Sequence, residues 1–271
     1  MRHIATSKVA ELERLNYQAM MAIAQVTPGV DLYLRDDVII TSNAAFPYPD
    51  ATHACLLQAD STTVDTLITE IIAYFQARAL PPTIFVSPAC APANLPERLQ
   101  QRGFVAQPET ETWLAFENLL DAAVPALDPK ITVEAVTPAT LPAFVQAMLA
   151  AFAMPDEWAP FMTQLTAPSV SLPGVFYFVA WLAGQPVGTA SLICYQNTGI
   201  LGGVGVIPAY RGSKAAANLY FQAGRTAQAQ GVDTLLLQTT AGRLLERLLR
   251  IGGFKPMFTR TAYTLTDEQL G

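Results

Sequence analysis

The chain has 271 residues, 51% hydrophobic and 14% charged, a composition that suits a well-buried protein and argues against disorder. The net charge of −6 argues against general nucleic-acid binding, which requires a basic face. The three cysteines and two histidines lack metal-ligand spacing, so we expect no metal site and no Ser-His-Asp hydrolase.

The sequence predicts a cytoplasmic, reduced protein that does not insert into membranes. Four charged residues, Lys8, Glu11, Glu13 and Arg14, lie near the start of the chain, where a signal peptide would require an apolar stretch. Residues 159–209 contain no charged side chain, but several prolines interrupt them, so they predict a buried sheet and not a membrane span.

The first half of the chain alternates strand and helix patterns. In chain order we predict a strand at 53–58, a helix at 63–79, a strand at 83–86, a helix at 95–102 and a strand at 112–116. Small residues and two prolines at 121–130 are typical of a linker, so we divide the chain into domains 1–126 and 127–271.

The second half repeats this order after additional elements of its own. We predict a helix at 138–153, a hairpin of strands 176–182 and 187–195, a strand at 200–207, a helix at 214–230, a strand at 234–239, a helix at 243–250 and a strand at 260–265. A Gly-Phe step ends the last helix of each half, at Gly103-Phe104 and Gly253-Phe254.

This repetition predicts a duplicated unit, and two unrelated αβ domains are the alternative. Strand–helix–strand order implies parallel crossovers. The predicted fold class is therefore α/β, with two tandem αβα units and mixed, partly parallel sheets.

An anion-binding loop is predicted at residues 210–214, directly before the alanine-rich helix. Arg211 and Lys214 supply positive charge, and Ser213 is the expected N-cap of the helix. Unpaired N–H groups at a helix N-terminus attract phosphate. An ordinary capped surface helix with two solvated cations is an equally good interpretation of the loop alone.

The run from Val204 to Gly212, the small-residue helix after it and the final Gly253-Phe254 step resemble the GNAT superfamily of N-acetyltransferases. The resemblance covers residues 132–266, with a weaker similarity in the first half. It implies tandem acetyltransferase-like domains, of which the first is degenerate and the second binds acetyl-CoA as a substrate. The implied cofactor-binding residues are Val204, Gly205, Val206, Arg211, Gly212, Ser213, Lys214, Ala215, Ala216 and Ala217.

Two positions depart from the family pattern. Lys214 stands where the family prefers glycine, which allows backbone to approach phosphate closely. The equivalent segment of the first half contains Asp60, which would repel phosphate, so we expect no cofactor there.

No catalytic residue can be assigned from the sequence. The strand 200–207 lacks the carboxylate that relatives often carry, Leu249 replaces a frequent tyrosine, and Gly242 replaces a frequent asparagine. A strand N–H of Val204 or Val206 is the expected oxyanion donor. The remaining candidates, each of which also has an ordinary structural interpretation, are Asp156, Glu157, Tyr177, Tyr195, Tyr263 and Cys194.

The resemblance implies acetyl transfer to an amine on a small molecule or peptide. The acceptor would enter between the halves or beside Asp156. A non-catalytic acyl-CoA-binding or regulatory module is the alternative, and a structural protein without a ligand is a third possibility. The sequence leaves the acceptor and the oligomeric state open.

Overall fold

The computed structural model describes residues 4–265, which form two compact units. Of the described residues, the first unit combines 4–114 with 238–265, and the second is Ala115–Leu237. The division of the sequence into 1–126 and 127–271 remains our proposal for the two repeats. The compact units differ from those repeats because the end of the second repeat packs within the first unit.

The first unit contains the N-terminal elements and the last helix and strand of the chain. Its elements are α1 (Thr6–Val26), β1 (Val30–Leu34), β2 (Ile39–Asn43), β3 (His53–Cys55), α2 (Val64–Gln76), β4 (Thr83–Val86), α3 (Leu95–Gln101), β5 (Phe104–Phe116, which ends in the second unit), α7 (Leu244–Ile251) and β11 (Lys255–Leu265).

The strands of the first unit form a mixed sheet in the order β1-β2-β3-β4-β11-β5. The pair β3–β4 is parallel, and the crossover between its strands is α2. The last strand, β11, pairs antiparallel with β4, with Thr261 opposite Val86. The apolar face of α2, which includes Ile68, Ile71 and Phe75, packs into the core of this unit.

The second unit contains β6 (Ile131–Ala135), α4 (Leu141–Ala151), α5 (Ala159–Thr166), β7 (Val175–Leu182), β8 (Gln185–Tyr195), β9 (Thr198–Val206), α6 (Ala215–Ala229) and most of β10 (Thr234–Thr240). Its strand order is β10-β9-β8-β7-β6. The strands β6 to β9 pair antiparallel, and β10 pairs parallel with β9.

The structure confirms the α/β class with mixed, partly parallel sheets, and both predicted parallel crossovers are present. The predicted hairpin is the antiparallel pair β7–β8. The sequence interpretation missed α1, β1, β2 and β6. Within residues 4–265 no helix combines the length and the apolar character required to cross a membrane, and no cluster of three metal-ligating side chains occurs there.

Candidate functional site

The strand β9 is paired with β10 over only part of its length. Three residue pairs join the two strands, and the last is Ile200 with Leu236, whereas β9 continues to Val206. Within residues 4–265, the part of β9 after Ile200 therefore has no strand partner on the edge that faces β10. Backbone amides on such an edge can pair with an extended ligand.

A β-bulge lies in this unpaired part of β9. On its other edge, Thr189 is opposite Gly205 and Ser191 is opposite Gly202, so Gly203 and Val204 face a single residue of β8. The buried Thr189 hydroxyl donates to the carbonyl of Gly203 at 3.0 Å and fixes the bulge. Because a bulge bends its strand, it re-aims the free edge of β9.

Gly205 brings β9 close to the end of α4. A Cβ atom at this position would lie 2.8 Å from the Phe152 ring and 3.0 Å from Ala151. The ring of Phe152 therefore packs directly on the strand backbone, although 44% of the residue remains exposed. Only glycine permits this approach without displacing the ring.

The loop after β9 contains the predicted cations. Arg211 is exposed, and its Nε donates to the carbonyl of Val206 at 3.4 Å, so its side chain lies against the end of β9. The backbone at Gly212 has φ +88, and that of Lys214 has φ +70. Lys214 stands at the position where the GNAT pattern prefers glycine, a residue that adopts this left-handed backbone easily. A lysine adopts it at a cost of about 1–2 kcal/mol.

The expectation that Ser213 is the N-cap of α6 is wrong. The helix begins at Ala215, and its N-cap is Lys214, whose side chain makes no capping bond. The left-handed backbone of Lys214 turns the chain into the helix one residue later than expected. The Ser213 hydroxyl still accepts the Ala215 N–H at 3.4 Å.

The N-terminus of α6 provides free amides. The first bond of the helical pattern runs from Asn218 N–H to the carbonyl of Lys214. Helix geometry therefore leaves the N–H groups of Ala216 and Ala217 without an intrahelical acceptor. Both positions are alanines, so their own side chains do not cover these amides.

Lys214 has an ion-pair partner that sequence reasoning missed. Its Nζ lies 3.1 Å from Oδ2 of Asp128, and Oδ1 of the same carboxylate accepts the Lys130 N–H at 3.0 Å. This N–H bond and the Lys214 ammonium lower the pKa of Asp128 below its ordinary value. The only sequence signal was an Asp-Pro step in the linker.

Residues 142–249 match the family profile described as Acetyltransferase (GNAT) family. The match includes the bulged strand, the loop and the start of α6. This segment is a GNAT acetyltransferase domain. Members of the family transfer acyl groups from acetyl-CoA. No curated protein matches this sequence.

Solved structures with similar folds cover nearly the whole chain. A GCN5-related N-acetyltransferase from Kribbella flavida has a TM-score of 0.67 at 18% identity, and the match covers 97% of this chain and 96% of that one. A tandem GNAT protein from the clavulanic acid biosynthesis pathway has a TM-score of 0.65 at 13% identity, covering 96% and 94%. A functionally unknown conserved protein from Staphylococcus epidermidis has a TM-score of 0.66 at 14% identity, covering 92% and 98%. At these identities the similarity establishes the fold.

The GNAT domain has no ionisable side chain on β9, as the sequence predicted. Leu249, at the position of the frequent tyrosine, is buried with 5% exposure. The ordinary structural interpretation of Asp156 and Glu157 is that one of them caps a helix, and the structure contradicts it. Both are exposed in a 3-10 turn whose N-cap is Pro155, and that turn has no side-chain capping bond.

The three tyrosines and the cysteine occupy different environments. Tyr177 is held by a 2.8 Å hydrogen bond to Ser169 and by ring contact with Phe144, and burial raises its pKa above the ordinary value. Tyr263 belongs to the core of the first unit. Tyr195 is partly buried at the end of β8. Burial raises the pKa of the Cys194 thiol to about 11, so it is a poor nucleophile.

The equivalent loop of the first unit is built differently. The carboxylate of Asp60 accepts hydrogen bonds from the backbone and hydroxyl groups of Thr62 and Thr63 at 2.6–3.0 Å. These bonds lower its pKa to about 2. The N-terminus of α2 therefore already carries an anion of its own, which disfavours phosphate there.

The strand edge of the first unit is also closed. Beyond β3 and β4 the chain continues pairing, because Ala91 N–H donates to the carbonyl of Leu57 at 2.8 Å and Gln58 bridges to Ala91. The Gln58 side-chain amide also donates to the carbonyl of Ala89. The position that is free beside β9 is filled here by the protein's own backbone.

Proposed function

We propose that the GNAT domain binds acetyl-CoA and transfers its acetyl group to an amine on a small molecule or peptide. Val204 to Val206 would pair with the pantetheine arm, and the amides of residues 212–217 would face the pyrophosphate. Arg211 and Lys214 would contribute charge. The proposal includes a cytoplasmic location, in agreement with three free thiols in the described chain.

The main support for this proposal is that the bulged end of β9, which is unpaired on one edge, leads directly into a loop with free amides and the exposed cations Arg211 and Lys214. The two features lie in consecutive segments of the matched family region. An extended thioester needs an edge for its amides and an anion site for its pyrophosphate. The second unit offers both, whereas Asp60 and Ala91 fill the equivalent positions of the first unit.

The chemistry of the site restricts the acceptor. An amine with pKa near 10.4 is mostly protonated at pH 7, and its neutral form costs about 4.6 kcal/mol. No carboxylate on β9 is available to remove that proton. We therefore expect acceptors that are already neutral at pH 7 or become neutral by desolvation against apolar groups such as Phe152.

In the transfer, the amine nitrogen forms a bond to the thioester carbon and the carbon–sulfur bond breaks. The acceptor proton leaves with the CoA thiol or passes to solvent. A strand N–H of Val204 or Val206 would stabilise the oxyanion. Because Leu249 offers no proton, the acid–base steps would fall to water or to the candidates Tyr195, Asp156 and Glu157.

A non-catalytic acyl-CoA-binding or regulatory module is the second candidate. Buried Leu249 and the uncharged β9 favour it, because both features weaken proton transfer without affecting the anion site. Measuring free CoA thiol released across a panel of amines separates the two candidates. Release with at least one amine supports the enzyme, and binding without any release supports the module.

Calorimetry with CoA tests the binding proposal. We expect wild type to bind, and Arg211→Ala to bind about 10-fold or more weakly, because a charge-assisted hydrogen bond contributes about 1.5–3 kcal/mol. Arg78→Ala is the control for the loss of one arginine charge, since Arg78 belongs to the first unit, where it pairs with Asp31. Absence of heat with wild type at millimolar CoA would refute the proposal.

A melting temperature that acetyl-CoA does not change would instead favour a structural protein without a ligand.

A further inference from the structure

The backbone of Asp128, the acidic residue that pairs with Lys214, is held in place by α6. Asn218 is buried, its Oδ1 accepts the Asp128 N–H at 3.0 Å, and its Nδ2 donates to the carbonyls of Asp128 and Ile131 at 3.0 Å. Asn218 lies one helical turn after Lys214. The carboxylate therefore stands next to the N-terminus of α6 whether or not Lys214 is paired with it.

The chain before Asp128 is attached to the same helix. Arg225 donates to the carbonyl of Pro125, and Gln228 donates to those of Leu119 and Ala122. Residues 119–131 thus follow α6 from its C-terminal to its N-terminal end. This connecting segment carries the Asp128 carboxylate to the loop as a fixed group.

A carboxylate at this place opposes the binding of a phosphate. While Lys214 pairs with Asp128, the loop presents Arg211 as its other cation, and an incoming pyrophosphate also meets the negative charge of Asp128. The Lys214 side chain is 71% exposed, and exposed ion pairs are weak. Charge-assisted bonds to phosphate are stronger than such a pair. Lys214 is therefore able to leave Asp128 for a phosphate.

We infer that Asp128 sets the affinity for CoA by competing with its pyrophosphate for Lys214. The carboxylate holds the lysine while the loop is empty and releases it when the pyrophosphate binds. Asp128 thereby weakens binding and favours the release of product CoA. This inference rests on the proposed function and deepens it, because it assigns a regulator to the same site.

Asp128→Asn is the test variant, because an asparagine retains an acceptor for Lys130 N–H and leaves the backbone bonds to Asn218 unchanged. We expect its Kd for CoA, measured by calorimetry, to be roughly 3- to 5-fold lower than that of wild type. Glu134→Gln, on β6, is the matched control for the loss of one negative charge and should leave Kd unchanged.

A double-mutant cycle separates competition for Lys214 from simple repulsion. In the Lys214→Met background, Asp128→Asn should improve binding by about 2-fold or less. An equal gain in both backgrounds would contradict the inference, as would no gain or a loss in the wild-type background. Melting temperatures of all variants show whether they are folded.

Inorganic pyrophosphate serves as a second probe. If wild type binds pyrophosphate but not CoA, the proposed function fails, whereas tighter pyrophosphate binding by Asp128→Asn still supports competition for Lys214. If wild type binds CoA and Asp128→Asn does not tighten binding, only the inference fails. If wild type binds neither probe at millimolar concentration, both fail.

Discussion

The guanidinium of Arg260 lies 3.7 Å from the carboxylate of Glu13, and both side chains are buried within the first unit. Arg260 also donates to Glu111 at 2.6 Å and to the Tyr17 hydroxyl at 3.0 Å. Burial, opposed by Arg260, raises the pKa of Glu13 above its ordinary value. These bonds tie the last strand of the chain, β11, to its first helix, α1.

Arg260→Met is expected to destabilise the protein by about 3–5 kcal/mol, because it leaves two carboxylates without their cation, one of them fully buried. Urea unfolding measures the loss. Arg250→Met, which removes an exposed arginine paired with Glu246, should change stability by less than about 1 kcal/mol. Equal effects of the two substitutions would show that the buried pair has no special importance.

We expect the buried His53 to make the free energy of unfolding depend on pH. Its Nδ1 donates to the Pro49 carbonyl, and in the neutral ring Nε2 accepts from the Tyr17 hydroxyl. Burial, followed by the charge of Arg260, lowers its pKa from the ordinary 6.5 to about 3.

In the unfolded chain His53 takes up a proton near pH 6.5, whereas in the folded protein it does so only near pH 3. The contribution of His53 to the free energy of unfolding is therefore fully present above pH 6.5 and is lost as the pH falls toward 3. The slope contributed by His53 approaches about 1.4 kcal/mol per pH unit below 6.5. Urea unfolding between pH 7 and 5 should show this slope in wild type and a flatter curve in His53→Gln. Parallel curves would contradict the assignment of a neutral buried ring.

Gly205→Ala should destabilise the second unit by about 1–3 kcal/mol, because the new methyl group would overlap the Phe152 ring. The double variant Gly205→Ala/Phe152→Ala should recover part of that loss. Gly202→Ala, whose nearest neighbour would be the Ser191 hydroxyl at 3.4 Å, is the control in the same strand. If thermal unfolding shows equal losses at both glycines, strand propensity and not the ring contact is responsible.

Asn218→Ala should cost about 1–3 kcal/mol, because it leaves the Asp128 N–H and two carbonyls without their partner. Chemical unfolding measures the loss, and Gln222→Ala, on the same helix, is the control. A loss no greater than that of the control would show that the connecting segment is held by other contacts.

Strongly periodic elements could be predicted from the sequence, and polar contacts between distant segments could not. The strands and helices around α6 were predicted because their apolar residues recur at regular spacing. The inward face of α1 was missed because buried Glu13 and Asn16 interrupt its apolar residues, such as Leu12. Arg260 follows the pattern of a surface charge, yet it is 3% exposed because its partners come from α1 and β5.

The candidate site was located from the sequence, but its electrostatics were not. Arg211, Gly212 and Lys214 lie in the predicted loop. The pairing of Lys214 with Asp128 depends on the path of residues 119–131 along α6, which no local pattern specifies. Asn218 could have been recognised as a polar residue near the inward face of an alanine-rich helix.

A structure of the protein with bound CoA is the decisive test of the proposed binding site. We predict that pyrophosphate oxygens lie within about 2.7–3.2 Å of backbone amides in residues 212–217, and that the pantetheine arm lies along the free edge of β9. CoA bound elsewhere, or those amides covered by protein in the presence of saturating CoA, would contradict it.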